Sequence, residues 1–338
     1  MFDVTALAET DLAEAGRFLR AVFGEVENYP PFQPDALRWK AFDSHPFAVA
    51  PRSFGVWHEQ RLIGHGTLAP LRFLTPAGEV TAHCVIDWAA DPNTRGSGVA
   101  IYQALAKRTA MQIGIGGSDD TRAMLPRMRM RVHQTIGVYE RRDRVLAHHL
   151  STRQDWKTPA RIARDVWRNL QRPGLVETRD LTARRITTFS EEAAVPMPSP
   201  DGGVCSERTP AFLDFALRCP AARMEGYVFE AQGAPAGYCV LSRVGTSCRI
   251  ADLWVEPARD PARWSQATVL AVRLAMTDGA AASILAAGST AFLRGVLESQ
   301  GFRLQSDEPL FVRGSGVEAG SEIHFGFLDY DAYYLPGG

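Results

Sequence analysis

No stretch of this chain is apolar for long enough to span a bilayer, which takes about 20 residues of helix. No two cysteines are spaced C-x-x-C, and the five present, Cys84, Cys205, Cys219, Cys239 and Cys248, are odd in number. That argues against a disulfide framework and a zinc site, and for reduced cytoplasmic thiols that serve as small core residues. His148-His149 has no carboxylate or cysteine at ligand spacing, so no metal is expected. Charge of one sign is also lacking. The chain has 37 Lys and Arg against 38 Asp and Glu, a formal net charge of -1. That balance points neither to nucleic acid nor to an anionic membrane surface. Met1-Phe2-Asp3-Val4 has no basic n-region and no apolar h-region, so no signal peptide is expected.

What is present is the composition of a folded protein. Hydrophobic residues make up 46% of 338 residues and charged residues 22%, enough for two domains of ordinary size. The most informative stretch is Arg95-Gly96-Ser97-Gly98-Val99-Ala100. It follows an apolar segment that reads as a strand (Cys84 to Ala90) and precedes one that reads as a helix (Ile101 to Thr109). A glycine turn at a helix N-terminus presents free N–H groups and partial positive charge, and so suits a phosphate. Glycine lets the main chain come close to that ligand, and Arg95 adds a cation.

The order of elements around this turn occurs twice. Ser53 to Trp57 and Leu62 to Leu74 read as hairpin strands, and Tyr227 to Glu230 with Gly237 to Ser242 read the same way. Ile250-Ala251-Asp252-Leu253-Trp254-Val255-Glu256-Pro257 echoes Val85 to Pro92. A helix (Thr268 to Thr277), a strand (Ala281 to Ala286) and a last helix after Gly288-Ser289-Thr290 then follow. We read this as a duplication of one α/β unit. Residues 151–204, with a basic helical stretch and a proline-rich run into Asp201-Gly202-Gly203, read as a connector.

Arg95, Gly98 and Ala100 fill the Arg-x-x-Gly-x-Gly/Ala pattern, with Pro92 shortly before it. In that context the chain resembles the GNAT superfamily of acyl-CoA-dependent N-acyltransferases. The resemblance covers residues 1–150 well and 205–338 more loosely. It implies an α/β fold with a mixed, mostly antiparallel central sheet flanked by helices, in two GNAT-like domains. These would span 1–150, carrying coenzyme A, and 205–338, joined by 151–204. It also implies a β-bulge in the strand ending Ala89-Ala90 that serves the pantetheine arm. The backbone of Arg95, Gly96, Ser97, Gly98, Val99 and Ala100 would hold the pyrophosphate, and Ser118 would lie near the pantetheine. The second half matches Gly-Phe at Gly301-Phe302, where the first has Arg129-Met130. Its own turn, Ala258 to Trp264, holds Pro261, which has no N–H, and Asp260, which would repel a phosphate. One cofactor site is therefore expected.

The resemblance further implies a carboxylate base on the bulged strand and a tyrosine acid. Asp87 is on that strand, and an aspartate in a structural ion pair is the competing reading. His83 and Cys84 lie just before it, Cys84 as nucleophile or as buried filler. The usual tyrosine positions hold Leu125 and Leu297, so Tyr139 is the substitute. The closing aromatics, Phe325, Phe327, Tyr330, Tyr333 and Tyr334, alternate partly at strand spacing, for core packing, a seam between domains or an acceptor wall. The expectation is N-acylation, most simply from acetyl-CoA, of a small-molecule amine such as an amino sugar, an amino acid or a natural-product intermediate. The expected protein is cytoplasmic, with neither nucleic acid nor membrane as partner, and a homodimer is left open. Two alternatives stand beside it: an aminoacyl-tRNA-dependent transferase of the two-domain GNAT-like type, and a non-catalytic acyl-CoA-binding module.

Overall fold

The computed structural model describes residues 2–151, 155–171, 175–178, 180–192, 194–200, 203–277, 279 and 281–335. Asp201 and Gly202 of the expected proline- and glycine-rich turn lie outside them. The first half runs β1 (Val4–Ala6), α1 (Leu12–Phe23), α2 (Pro34–Ala41), β2 (Ser53–His58), β3 (Arg61–Thr75), β4 (Gly78–Ala90), α3 (Ser97–Ala106), β5 (Met111–Ile115), α4 (Asp119–Met124) and β6 (Arg131–Arg141). Then come α5 (Val145–Ser151), α6 (Thr158–Leu170) and β7 (Thr182–Ile186). The second half runs β8 (Val204–Ser206), α7 (Pro210–Leu217), β9 (Arg223–Ala231), β10 (Ala234–Val244), β11 (Ser247–Val255), α8 (Pro261–Met276), β12 (Ser283–Gly288), α9 (Ala291–Ser299), β13 (Arg303–Gly314) and β14 (Ile323–His324).

The repeat is visible in these elements. Each half has an antiparallel meander (β2-β3-β4 and β9-β10-β11), then a helix, then a strand parallel to the last of the meander (β5 on β4, β12 on β11). The halves do not form separate sheets, however. Strand order along the main sheet is β1-β2-β3-β4-β5-β13-β6-β12-β11-β10-β9-β7. The last strand of the second half, β13, enters between β5 and β6, with Leu310 opposite Ile115 on one side and Glu140 opposite Arg303 on the other. In turn β6 lies between β13 and β12. Each half thus fills an open edge of the other, whose backbone groups would otherwise lack partners. A core shared by the two halves follows from this, running from Trp39 and Cys84 through Tyr139 to Phe215 and Trp254, with smaller clusters beside it in the first half. The stretch read as a connector also gives the sheet an edge strand, since β7 pairs with β9.

Local chemistry explains where the elements begin and end. α1 turns Leu12, Ala15 and Leu19 inward and stops at Gly24, whose φ of 70° continues no helix. α8 begins at Pro261, seven residues before the sequence reading starts it, because proline suits the first helical position and Asp260 caps it. After α9, Gly301 takes a φ of 78° and Phe302 is buried. Arg129 takes a φ of 65° at the matching place and Met130 is buried. Arg129-Met130 therefore does the work of Gly-Phe despite its different residues. The closing aromatics form two 3-10 turns, Phe327–Asp329 and Asp331–Tyr333, and not the strand their spacing suggests. Among the described residues, no helix is long and apolar enough to cross a membrane.

Candidate active site

The glycine turn closes between β4 and α3. Gly96 sits before the helix with a φ of 90°, and no side chain caps the helix. The first helical bond runs from the Ala100 N–H to the Gly96 carbonyl at 2.9 Å, so the N–H groups of Gly98 and Val99 precede it. The Trp88 indole, from β4, donates to the Gly98 carbonyl at 3.0 Å and fixes the corner. A Cβ on Gly98 would stand 3.1 Å from that of Ala90, so glycine here permits close packing of helix on strand. Arg95 is exposed beside it, and Ser97 is buried, its hydroxyl on the Thr94 carbonyl at 3.0 Å. This corner fits a diphosphate by its donors, its dipole and its free cation. The matching corner before α8 is already filled. There the Asp260 carboxylate accepts from the N–H groups of Ala262 (2.9 Å) and Arg263 (3.3 Å).

β4 and β5 pair in parallel only from Ala82 to Cys84 and Met111 to Ile113, and then the ladder stops. A wedge opens there, pointing toward the α3 corner. The strand that ends at Ala89-Ala90 does carry a bulge, and it lies at Asp87. Asp87 takes a φ of 51°, and the register with β3 slips between Ile86 opposite Thr67 and Ala89 opposite His65. The extra residue turns Asp87 to the side of α2. Its carboxylate meets Lys40 Nζ at 2.7 Å, and both side chains are 2% exposed. His65 Nδ1 lies 3.0 Å from the Asp87 carbonyl. Burial lowers the His65 pKa, which keeps the ring neutral.

Sequence reading missed Asp331. This half-buried residue on the closing turns is near enough to Asp87 and Lys40 to feel both charges. Burial, and then the negative Asp87, push its carboxyl up to about 6, against the pull of Lys40. Only a run of aromatics marked its surroundings in the sequence, and an aspartate among tyrosines carries no signal of its own.

Asp331 opens onto a cleft of about 640 Å³. Its floor is one face of the joined sheet: Ser247 and Arg249 of β11, Ser283 and Leu285 of β12, Val138 and Glu140 of β6, Ser306 and Glu308 of β13. Ile115 at the end of β5, Gly116 after it and the closing turns wall it. The cleft thus adjoins the β4–β5 wedge and draws on both halves.

The structure does not gather the other candidates there. Tyr139 falls between Val138 and Glu140, so alternation sends it to the opposite face. There its hydroxyl donates to Glu298 at 2.9 Å, and burial with this bond pushes its pKa up to about 12. Cys84 is buried, and its thiol is held well above the ordinary range, which suits filler and not a nucleophile. Burial also lowers the pKa of His83, whose Nδ1 is shielded without a hydrogen-bond partner. Ser118 caps α4, accepting from the Thr121 N–H at 3.3 Å. Ala89 and Ala90 pair with His65 and Gly64 of β3. Leu125 and Leu297 are buried. No group of three or more His, Cys, Asp or Glu that could hold a metal ion exists among the described residues.

No protein-family model and no curated protein matches this sequence. Solved structures do match the fold along nearly its whole length. A putative acetyltransferase from Pyrococcus horikoshii superposes with a TM-score of 0.58 at 10% identity, covering 99% of this chain and 96% of that one. The fold is that of the GCN5-related N-acetyltransferases. A GNAT protein from Anabaena variabilis gives 0.57 at 12% identity, over 93% of this chain and 72% of that one. The N-myristoyltransferase of Saccharomyces cerevisiae, solved with bound myristoyl-CoA, gives 0.59 at 12% identity, over 94% and 84%. The tandem GNAT layout and the mixed, mostly antiparallel sheet thus hold across the whole chain.

Proposed function

We propose that this GNAT-fold protein is an acyl-CoA-dependent N-acyltransferase, most simply an acetyltransferase, of a small-molecule amine. The observation that carries the reading is the contrast between the two helix corners. The corner at Gly98 is uncapped beside an open strand wedge, whereas that at Asp260 is closed by its own carboxylate. Residues 1–150 would hold the acyl donor, with the pyrophosphate on the turn Arg95 to Ala100. Residues 205–338 would supply much of the acceptor wall, and 151–204 would join the two. A reducing cytoplasm suits the five buried cysteine side chains.

Bound acyl-CoA supplies a thioester carbonyl for an amine to attack. The residues present divide the remaining work. Asp331 faces the cleft and takes the proton that the ammonium must lose before its nitrogen can attack. Asp87, closed off by Lys40, sets the field around Asp331 and does not reach the acceptor. The amine forms the C–N bond, the C–S bond breaks, and coenzyme A leaves as its thiol.

Arg95→Glu tests the corner without touching packing, because Arg95 is exposed. The reversal is expected to weaken acetyl-CoA binding by about 10-fold or more, the scale of a charge-assisted contact. Calorimetric titration reads it, and equal affinity in the variant overturns the assignment. Asp87→Asn is expected to shift the pH profile. It removes a negative charge from beside Asp331, so the Asp331 pKa falls and the acidic limb of kcat/KM moves to lower pH. An unmoved limb would show that the two carboxylates are not coupled. The buried leucines at the expected tyrosine positions favour a second reading, a module that binds acyl-CoA without turnover. Release of free thiol across an amine panel separates the two.

A further inference from the structure

The charges that line the cleft are nearly all committed. Arg142 meets Glu140 at 2.6 Å and Asp165 at 2.7 Å. His148 lies 3.7 Å from Glu140, and Glu308 is held by Arg122 at 2.9 Å. Two are left over: among the described residues, Arg249 and Asp331 line the cleft without an ion-pair partner.

Arg249 is the more telling of the two. It is 4% exposed, and its Nη1 has no hydrogen-bond partner. A guanidinium is never neutral in a protein, and an unsatisfied buried N–H is costly, so the group is set up to receive an anion. Its other branch donates to the Leu335 carbonyl at 2.5 Å. The Leu335 N–H in turn reaches back to the Asp331 carbonyl at 3.3 Å. One turn of chain therefore links Asp331 to the residue that Arg249 holds. A cleft lined by one uncommitted cation and one uncommitted carboxylate suits a small molecule that carries both charges.

We propose that the cleft takes a zwitterionic acceptor of the α-amino acid class, with Arg249 holding its carboxylate and Asp331 facing its amino group. This rests on the acyltransferase reading and narrows it. An amino sugar or a simple alkylamine carries no anion for Arg249. Binding the ammonium against Asp331 also places the proton beside the group that removes it. One ammonium proton passes to the Asp331 carboxylate, the freed nitrogen bonds to the acyl carbon, and the thiolate leaves with the proton that the nitrogen sheds as the amide forms.

The test compares α-amino acids with the amines that share their side chains but lack the carboxylate, at fixed acetyl-CoA, by thiol release. The wild-type protein is expected to favour the carboxylated member by about 10- to 100-fold in kcat/KM, the scale of a hydrogen bond to a charged group. Arg249→Met is expected to raise KM for the amino acids by that factor and to leave kcat and the bare amines nearly unchanged. Arg249→Lys keeps the cation and should recover part of the loss. Equal rates for the two sets in the wild type overturn the proposal. So does a variant that slows both sets alike, since that is what loss of the Leu335 anchor alone would do. Absence of turnover with either set overturns it as well. Calorimetric binding of acetyl-CoA to the same preparation then decides whether the acyltransferase reading falls with it.

Discussion

Asp331→Asn is expected to slow acyl transfer by about 10²- to 10⁴-fold, the usual loss when a positioned proton acceptor is removed. Acetyl-CoA affinity should stay as it is, because the phosphate corner is formed by α3 and not by the closing turns. The pH dependence gives the sharper reading. Burial and Asp87 hold the Asp331 carboxyl at about 6, and only the ionised form can accept a proton. In the wild type kcat/KM should climb through about pH 6 and level off above it, and in the variant that limb should vanish. Stability moves the other way. The folded pKa lies above the unfolded value near 3.9, so the folded state binds this proton more tightly. The contribution to stability is fully present below about pH 4 and is lost as pH rises through about 6. Asp331→Asn should therefore be neutral or mildly stabilising at pH 8 while activity collapses. A variant that keeps its rate, or its acidic limb, would remove Asp331 from the chemistry.

Arg208→Met is expected to cost about 3–5 kcal/mol in folding, the range for breaking a buried ion pair from one side. Arg208 meets Asp252 at 2.6 Å and Asp329 at 2.8 Å, and the three side chains are 1%, 4% and 0% exposed. The Tyr238 hydroxyl donates to Asp252 at 2.9 Å, and the Gly326 N–H donates to Asp329 at 2.6 Å. Without the guanidinium, two carboxylates remain in the core with no cation. Their burial then favours protonation, so the loss should shrink as pH falls. Urea unfolding at several pH values measures both effects. Asp329 begins the segment that carries Asp331, so the variant should also lose activity at temperatures where it remains folded. A loss below about 1 kcal/mol, as for an exposed pair, would show that water reaches the cluster.

Much of the architecture was legible because it is local. A hairpin, a glycine turn and an amphipathic helix are set by residues within a few positions of one another. The absent N-cap at Gly96 and the acidic one at Asp260 could be read in the same way, from a glycine in one turn and an Asp-Pro in the other. The position of the bulge within its strand was not legible, because aspartate gives no sequence signal for the positive φ that Asp87 takes. Tyr139 was misjudged as an acid in the site because its face depends on the register of β6 with β12, two segments more than 140 residues apart.

The sequence by itself determined the repeated unit, the uncapped glycine corner in one copy and its closure by Asp260 in the other, since each depends on backbone conformation over a single turn. The exchange of β6 and β13 between the halves was decided only in three dimensions. So were the cleft beneath the joined sheet and the approach of Asp331 to Asp87 and Lys40. Pairing of strand edges and burial of charge act between residues far apart in the chain, and residue spacing carries no record of them.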